Sequence, residues 1–186
     1  MLKTWKRISS LTVPLKVGHR SVITKFFEMP NGQTADFQTY DTEGRHYAAV
    51  VAITEDNTVV VARQYRPGPE KIMDELPGGF VDPEDKDFTA AAKRELEEET
   101  GYQCANIEYL GPVHKDAYNN ATWHYFFATG CKQVTTQQKL DDTEYVEVDT
   151  ITIDQFIDNA LHDKMAEHGA VLLAYEKLKA LQKTTK

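Results

Sequence analysis

Residues 78–102 read GGFVDPEDKDFTAAAKRELEEETGY, and the second half of this stretch predicts one helix. Asp87 is a candidate N-cap, because a short acidic side chain can accept the free N–H groups of a first turn. Three alanines and a leucine favour a helix in the interior. Gly101 stands where a glycine commonly ends a helix.

Three glutamates of this helix share one face. Glu95, Glu98 and Glu99 are spaced i, i+3 and i+4, which brings their Cβ atoms within about 5–6 Å of each other. Like charges so close destabilise a helix, and a divalent cation with oxygen ligands is the natural counter-charge. A glutamate run is otherwise usually a solvated face. The flanking glycines, Pro77 and Arg94 favour the metal site here.

The same stretch resembles the signature of the Nudix hydrolase family, G-x5-E-x7-R-E-U-x-E-E-x-G-U, where U is a bulky apolar residue. The second half matches throughout, over residues 94–102. The first half is one residue longer than the signature. Counting from Gly79 places the signature's first glutamate at Asp85, and counting back from the arginine places it at Lys86. Asp85 and Glu84 are the candidates to replace that acid.

Length and charge narrow the class of protein. The chain has 186 residues, enough for one sizeable domain with a small accessory sheet. A net charge of −8 without a basic stripe argues against nucleic acid as a partner. Cys104 and Cys131 lack metal-binding spacing and are expected to be reduced thiols, which is typical of the cytoplasm. No signal peptide and no apolar run long enough to span a membrane is apparent, so we expect no membrane partner.

Apolar, β-branched runs at residues 47–54 and 58–63 predict a hairpin in the middle of a sheet. Two further strands are predicted over residues 106–111 and 122–130, with His124 packed among aromatic side chains. Helices that cover the sheet are predicted over two segments. The first begins at Thr152 or, by preference, at Asp154 as N-cap, and the second runs from about 170 to 181.

Residues 1–45 predict short strands at 11–17, 21–28 and 37–40, which are marginal as an isolated unit. The resemblance implies that this N-terminal β-sheet serves dimerisation and base binding, and that residues 46–186 form the Nudix hydrolase domain. The fold class it implies is α/β: an α/β/α sandwich with a mixed central sheet, plus a small N-terminal antiparallel β-sheet.

The glutamate face and the resemblance together indicate a metal-dependent hydrolase. Carboxylates that hold Mg2+, or Mn2+ in its place, against a phosphoanhydride neutralise developing charge and activate water. Glu95 and Glu99 are predicted as the main ligands, and Glu98 as a ligand directly or through water. The carbonyl of Gly78 is a further candidate, because a residue without Cβ permits close approach.

Three more acidic or basic residues are assigned around this site. Arg94 is predicted to orient Glu95 by a charge-assisted hydrogen bond. Glu144 lies in the run DDTEYVEV, which resembles a D-G-E-F-V-E-V run of the ADP-ribose branch, and the resemblance implies a general base or a ligand carried by a loop. The proton acceptor is Glu144 or one of the helix glutamates. Glu75 resembles an acid near the metals, and the alternative is a salt bridge to Arg94 or Arg66.

Substrate-binding residues follow from the resemblance. Arg66, in the run QYR, resembles an arginine that faces substrate, with a surface cation as the alternative. Trp5 resembles a tryptophan that stacks on adenine, with packing on the sheet as the alternative. Asp116 or Tyr118 stands where ADP-ribose hydrolases usually carry proline, and a tyrosine there is associated with dinucleoside polyphosphate hydrolases. The run NATWH at 120–124 instead resembles S-N-x-T-x-H of ADP-sugar hydrolases.

The leading prediction is Mg2+-dependent hydrolysis of ADP-ribose or a related nucleoside-diphosphate sugar to a nucleoside monophosphate and a sugar phosphate. One alternative is a dinucleoside polyphosphate or nucleoside triphosphate hydrolase, suggested by Tyr118. The other is a non-catalytic Nudix protein that binds nucleotide sugars, suggested by the longer first half of the signature. A cytoplasmic homodimer is expected.

Overall fold

The computed structural model describes residues 3–10, 15–17, 20–40, 44–140 and 144–184. The chain divides into two compact units, residues 1–45 with 114–122, and residues 46–113 with 123–186. The predicted strand residues 11–14 and the first three residues of DDTEYVEV, 141–143, lie outside the described residues. The roles assigned from the sequence to residues 1–45 and 46–186 stay predictions.

The first unit contains an antiparallel sheet. Its strands within the described residues are β1 (Lys6–Ser10), β2 (Leu15–Val17), β3 (Arg20–Glu28) and β4 (Thr34–Tyr40). β1 and β2 pair with the two ends of β3, and β4 pairs along most of its length. The predicted N-terminal antiparallel sheet is confirmed, and β1 is a strand that the polar run KRISS did not indicate.

Residues 114–122 join the first unit although they lie far along the chain. The N–H of Tyr40 donates to the carbonyl oxygen of Tyr118 at 2.8 Å, and the N–H of Thr122 donates to the carbonyl oxygen of Arg45 at 3.0 Å. These backbone bonds hold the loop that carries Tyr118 against the end of β4.

The second unit contains a mixed sheet. Its strands within the described residues are β5 (His46–Thr54), β6 (Thr58–Arg66), β7 (Lys71–Glu75), β8 (Gly78–Phe80), β9 (Tyr102–Gln103), β10 (Asn106–Val113), β11 (Thr122–Gln133) and β12 (Glu147–Thr152). The order is β10-β11-β5-β6-β12, with β7 paired to β6, β8 to β5 and β9 to β11. The predicted hairpin is β5–β6, and it lies in the middle of the sheet.

The sheet is covered on both faces. The helices of the described part of the chain are α1 (Phe88–Thr100), α2 (Ile153–Leu161) and α3 (His168–Thr184). Even-numbered residues of β5 (48, 50, 52) pack with α1, and odd-numbered residues (49, 51, 53) pack with α2 and α3. A strand buried on both faces needs a continuous apolar run, which explains why residues 47–53 do not alternate. The α/β/α sandwich is confirmed.

Local signals set the helix ends. Asp87 is the N-cap of α1, and its side chain accepts the N–H of Ala90 at 2.8 Å. The preference for Asp154 as N-cap of α2 is wrong, because Thr152 is the cap. The Thr152 hydroxyl accepts the N–H of Gln155, whose side chain accepts the N–H of Thr152 in return, so two free donors are satisfied together.

None of the helices in the described ranges has the length and hydropathy that crossing a bilayer requires.

We expect Gly101→Ala to destabilise the fold. Gly101 ends α1 with φ at 73°, in the left-handed region, and a Cβ there would lie 1.9 Å from the carbonyl oxygen of Thr135. The left-handed conformation alone costs roughly 1–2 kcal/mol for alanine, and the overlap with Thr135 adds to that. Urea denaturation of the purified variant measures the loss in free energy of unfolding.

Gly68→Ala is the matched control, because a Cβ there meets no heavy atom of the described residues within 4 Å. It should leave stability nearly unchanged. Equal stabilities of the two variants would contradict the assigned role of Gly101.

Candidate functional site

The glutamate face of α1 lies against β8. Ala91, Ala92 and Leu96 are fully buried on the sheet side of α1 and bring the helix close to β5. Glu99 is 7% exposed, and its Oε2 accepts the N–H of Gly78 at 2.9 Å. The last turn of α1 is therefore fixed to the first residue of β8 through a buried carboxylate.

Glu99 and Glu95 carry raised pKa values. Burial raises the pKa of Glu99 to about 8, the bond from Gly78 opposes the shift, and the charges of Glu95, Glu144 and Glu75 add to it. Burial also raises the pKa of Glu95 to about 7, although the neighbouring Arg94 works in the opposite direction. Desolvation, and to a smaller extent like charge, disfavour the ionised forms, so without a counter-charge both carboxyl groups tend to keep a proton.

Arg94 is the cation that partly balances this charge. Its Nη1 donates to Glu95 Oε1 at 2.8 Å and to Glu98 Oε2 at 3.0 Å. Its Nη2 donates to the carbonyl oxygen of Phe80 and to Asp85 Oδ2, both at 2.9 Å. The guanidinium thus orients two of the three helix glutamates and ties them to the loop before α1, consistent with the hydrogen bond predicted between Arg94 and Glu95.

Asp85 is the acid of this loop that makes the shorter contact with Arg94; Asp82 Oδ2 lies 3.3 Å from the Arg94 Nη2. Its Oδ1 accepts the Arg94 Nε at 3.2 Å, and its Oδ2 also accepts the N–H of Asp82 at 2.9 Å. The hydrogen bond from Arg94 lowers the pKa of Asp85. Glu84 is exposed. Of the two candidates offered by the sequence, Asp85 is the one that the fold brings to Arg94, so the longer loop still supplies the ion pair.

Arg66 and Glu75 form a second ion pair, in which the Glu75 carboxylate is buried and the Arg66 side chain is partly exposed. The Nε and Nη2 of Arg66 donate to the two carboxylate oxygens of Glu75. These bonds raise the pKa of Arg66, and the charges of Glu167 and Glu99 contribute in the same direction. The partner of Glu75 is therefore Arg66 rather than Arg94, and the pair lies within electrostatic range of Glu99.

Glu167 belongs to this charged group and was missed from the sequence. It is 3% exposed, in the segment between α2 and α3. The run MAEHG around it offered no motif, and an isolated glutamate ahead of a helix is usually exposed. The available signal in the sequence was the apolar residue Met165, which is fully buried in the structure and brings this segment into the core.

Gly78 approaches the sheet backbone closely. A Cβ at Gly78 would lie 2.4 Å from the carbonyl oxygen of Ala48 in β5. Gly78, whose carbonyl is a predicted metal ligand, is thus also required to be small by the pairing of β8 with β5.

The other predicted site residues, Trp5, Tyr118 and Glu144, differ in how far they are exposed to solvent. Trp5, in the first unit, packs against Phe27 and Phe37 with ring centroids 6.4 and 5.5 Å away, yet it is 47% exposed. Packing therefore occupies one part of the indole and leaves another part open. Tyr118 is 52% exposed. Glu144 is half-buried, and its charge acts on Glu99.

His124 is packed. It is buried, its ring stacks on Phe88 at 3.8 Å between centroids, and its two nitrogens bond to His46 and Tyr109 at 2.9 Å each. Both nitrogens are occupied within the side-chain cluster, as expected for a core histidine.

The donor set fits a divalent cation in its chemistry. The carboxylate oxygens of Glu95, Glu98 and Glu99 are hard ligands of the kind that Mg2+ and Mn2+ prefer. Burial, with a smaller contribution from neighbouring carboxylates, raises the pKa values of Glu95 and Glu99, and an added cation would oppose this by favouring the ionised forms. Within the described residues, no three acidic, histidine or cysteine side chains are arranged to bind one ion. Glu95 and Glu98 instead point to Arg94.

A family model and two curated proteins match most of this chain. Residues 44–175 match the family model of the NUDIX domain. The chain is 35% identical over 129 residues to the methanol dehydrogenase activator of Bacillus methanolicus, covering 69% of this chain and 68% of that protein. It is 29% identical over 129 residues to the ADP-ribose pyrophosphatase of Bacillus subtilis (strain 168), covering 68% of each.

A solved structure shares the fold. The crystal structure of an ADP compounds hydrolase matches with a TM-score of 0.80 and 20% identity, over 97% of both chains.

We expect the metal-free protein to lose stability as pH rises. Because burial raises the pKa of Glu99 from 4.5 to about 8, the folded chain keeps a proton that the unfolded chain has released between these values. Stability is therefore greatest below the unfolded pKa and falls, by a few kcal/mol, as pH approaches the folded pKa. Urea denaturation in a chelator, from about pH 5 to 8, measures this slope.

Glu99→Gln should flatten that slope, because an amide does not titrate. Glu97→Gln is the control, since Glu97 lies on the exposed side of the same helix. If the Glu99→Gln and wild-type proteins had equal slopes, another group would have to account for the loss of stability.

Proposed function

This chain belongs to the Nudix hydrolase family and is a pyrophosphohydrolase, and from that premise we propose that it hydrolyses the diphosphate linkage of ADP-ribose or a related nucleoside-diphosphate sugar. The products would be a nucleoside monophosphate and a sugar phosphate. The observation that carries the proposal is the face of α1 on which the desolvated carboxyl groups of Glu95 and Glu99 lie, with Glu99 bonded to the backbone of Gly78. The name of the Bacillus subtilis relative supports the substrate class.

Nudix hydrolases generally use divalent metal ions, and we assign Mg2+ here, with Mn2+ as a substitute. Glu95, Glu98, Glu99, Glu144 and the carbonyl of Gly78 would hold it. When bound, such an ion neutralises charge on the phosphate oxygens and makes a water molecule more acidic. The raised pKa values of Glu95 and Glu99 support this assignment, because buried carboxyl groups close to one another are stabilised in their ionised forms by a cation.

The protein side chains divide the remaining tasks. Arg94 keeps Glu95 and Glu98 oriented through two hydrogen bonds, so their carboxylates do not have to be ordered when substrate arrives. We assign proton acceptance from the attacking water to Glu144, which lies close enough for its charge to act on Glu99.

Substrate recognition is assigned to Arg66 of the second unit and to Trp5 and Tyr118 of the first. Arg66 uses its Nε and Nη2 for Glu75, and its guanidinium has five N–H groups, so it can also donate to a phosphate oxygen. Trp5 presents the open part of its indole for stacking on the base, and Tyr118 is placed beside the substrate by the resemblance.

We also propose that the protein is a homodimer and that it acts in the cytoplasm. Trp5, Ile8 and Tyr40 of the N-terminal sheet are each about half exposed, and an exposed apolar sheet supports the assignment of a homodimer formed through this unit. Cys104 and Cys131 are free thiols, which suits the reducing environment of the cytoplasm.

The test of the function is a substrate panel with Mg2+ as the added ion. ADP-ribose and other nucleoside-diphosphate sugars should be cleaved to a nucleoside monophosphate and a sugar phosphate, identified by mass spectrometry. Preferential cleavage of diadenosine polyphosphates or nucleoside triphosphates would contradict the proposed substrate class and favour the alternative that Tyr118 suggests.

Glu99→Gln should lower kcat by about 100-fold or more, because the amide cannot supply the charge that the transition state requires. Glu97→Gln, an exposed change on the same helix, should retain activity. Steady-state kinetics on the best substrate compares them, and an unchanged rate in Glu99→Gln would remove Glu99 from the site.

Trp5→Ala should raise KM for adenine-containing substrates more than it lowers kcat, by an amount set by the roughly 1–3 kcal/mol of a base-stacking contact. Trp5→Phe keeps an aromatic plane and should recover most of the affinity. Loss of kcat at unchanged KM would assign Trp5 to packing of the sheet instead.

A further inference from the structure

The segment Leu76-Pro77-Gly78 joins β7 to β8 and has two amide donors, since proline has none. The N–H of Gly78 donates to Glu99 Oε2 at 2.9 Å. The N–H of Leu76 donates to Glu167 Oε2 at 3.4 Å. Each amide of this segment is therefore bonded to a buried glutamate side chain.

The chain before α3 is fixed in a way that delivers Glu167 to this position. The N–H of Asp74 donates to the carbonyl oxygen of Lys164 at 2.9 Å, and Asp74 and Met165 form a parallel bridge. Two residues further along each segment, Leu76 and Glu167 meet. The carbonyl oxygen of Glu167 also accepts the N–H of Ala170 at 3.0 Å, which anchors Glu167 to the first turn of α3.

The two glutamates come from opposite faces of the sheet. Glu99 belongs to α1, which packs on the even-numbered side of β5, and Glu167 precedes α3, which packs on the odd-numbered side. The segment 76–78 is thus held between two carboxylates. The carbonyl oxygen of Pro77 accepts the N–H of Val50 at 3.0 Å and adds a third contact, to β5.

Glu167 also lies within electrostatic range of the Arg66–Glu75 pair. Its charge contributes to the raised pKa of Arg66, whose partner Glu75 directly precedes Leu76. It also adds to the effect of burial in raising the pKa of Tyr125. Burying a carboxylate costs free energy that its hydrogen bonds and charge partners have to offset. The contact with the Leu76 N–H is one such interaction of the buried Glu167 side chain.

We propose that Glu167 is a positioning residue of the active site. By accepting the Leu76 N–H, it fixes the segment 75–78, and through that segment it sets the place of the Glu75–Arg66 pair and of the Gly78 backbone. The inference rests on the proposed function for the roles of Arg66 and Gly78. Glu167 acts through these residues and does not itself contact the reacting atoms.

The test combines amide hydrogen exchange of the metal-free protein with steady-state kinetics. Glu167→Leu removes the acceptor. Exchange in residues 75–78 should become at least about tenfold faster relative to β5 and β11, because local opening no longer breaks this bond. For the same reason kcat/KM should fall by about 10–100-fold, as expected when positioned groups shift.

Glu167→Gln is the conservative variant, because its amide oxygen can still accept the Leu76 N–H. It should restore exchange and kcat/KM to within about threefold of wild type. Glu176→Leu, an exposed change on α3, should leave both quantities unchanged. If Glu167→Leu kept wild-type exchange in residues 75–78, or accelerated exchange equally throughout the core, Glu167 would have no positioning role.

Glu167→Asp covers the case in which the leucine variant does not fold. It keeps the charge and shortens the side chain by one CH2, so the carboxylate withdraws from Leu76. Exchange in residues 75–78 and kcat/KM should change in the same direction as for leucine. Wild-type values of both would overturn the inference. The exchange measurement does not require substrate, so it remains decisive even if the wild-type protein hydrolyses none of the proposed substrates.

Discussion

The burial of like-charged carboxylates is the constraint on which the site depends. Glu75, Glu95, Glu99 and Glu167 lie in or near the core of the second unit, where an ionised group loses most of its hydration. The observed compensation comes from Arg66, Arg94 and the amides of residues 76 and 78. It is incomplete, since two of these carboxyl groups keep raised pKa values. Such an arrangement persists only if apolar burial elsewhere offsets its cost, and β5, buried on both faces, supplies much of that burial.

Features decided by local interactions could be predicted from the sequence. The ends of α1 follow from Asp87 and Gly101, because a cap acts within one turn of the chain. The β5–β6 hairpin follows from β-branched runs, and the shared face of Glu95, Glu98 and Glu99 follows from helical spacing. The N-cap of α2 shows the limit of this reasoning. Thr152 and Asp154 are both good caps, and the reciprocal bond with Gln155 decides between them.

Features decided by distant segments could not be predicted. The choice of Arg66 over Arg94 as partner of Glu75 depends on strand pairing. Glu75 is opposite Ala62 in the β6–β7 register, on the same face as Arg66 but four residues away, so the long Arg66 side chain reaches along the strand to meet it. Arg63 pairs with Asp74 and Asp149 instead. Glu167 is buried because the bridge at Asp74 draws its segment inward, and a run of letters such as MAEHG does not reveal such a bridge.

The alanines between α1 and the sheet have a consequence for how this chain can vary. Ala48 and Ala52 on β5 meet Ala91 and Ala92 on α1, and all four are fully buried. Because these four side chains are only methyl groups, the helix packs close to the sheet. The Glu99 side chain, in the last turn of α1, can therefore reach the backbone of β8. A bulkier residue at any of these places would lift the helix, since a close-packed interior has no room to absorb it. We therefore expect larger apolar residues to be disfavoured at these four positions because they would move Glu99 out of hydrogen-bonding distance of Gly78, and not only because of the apolar contacts they would change.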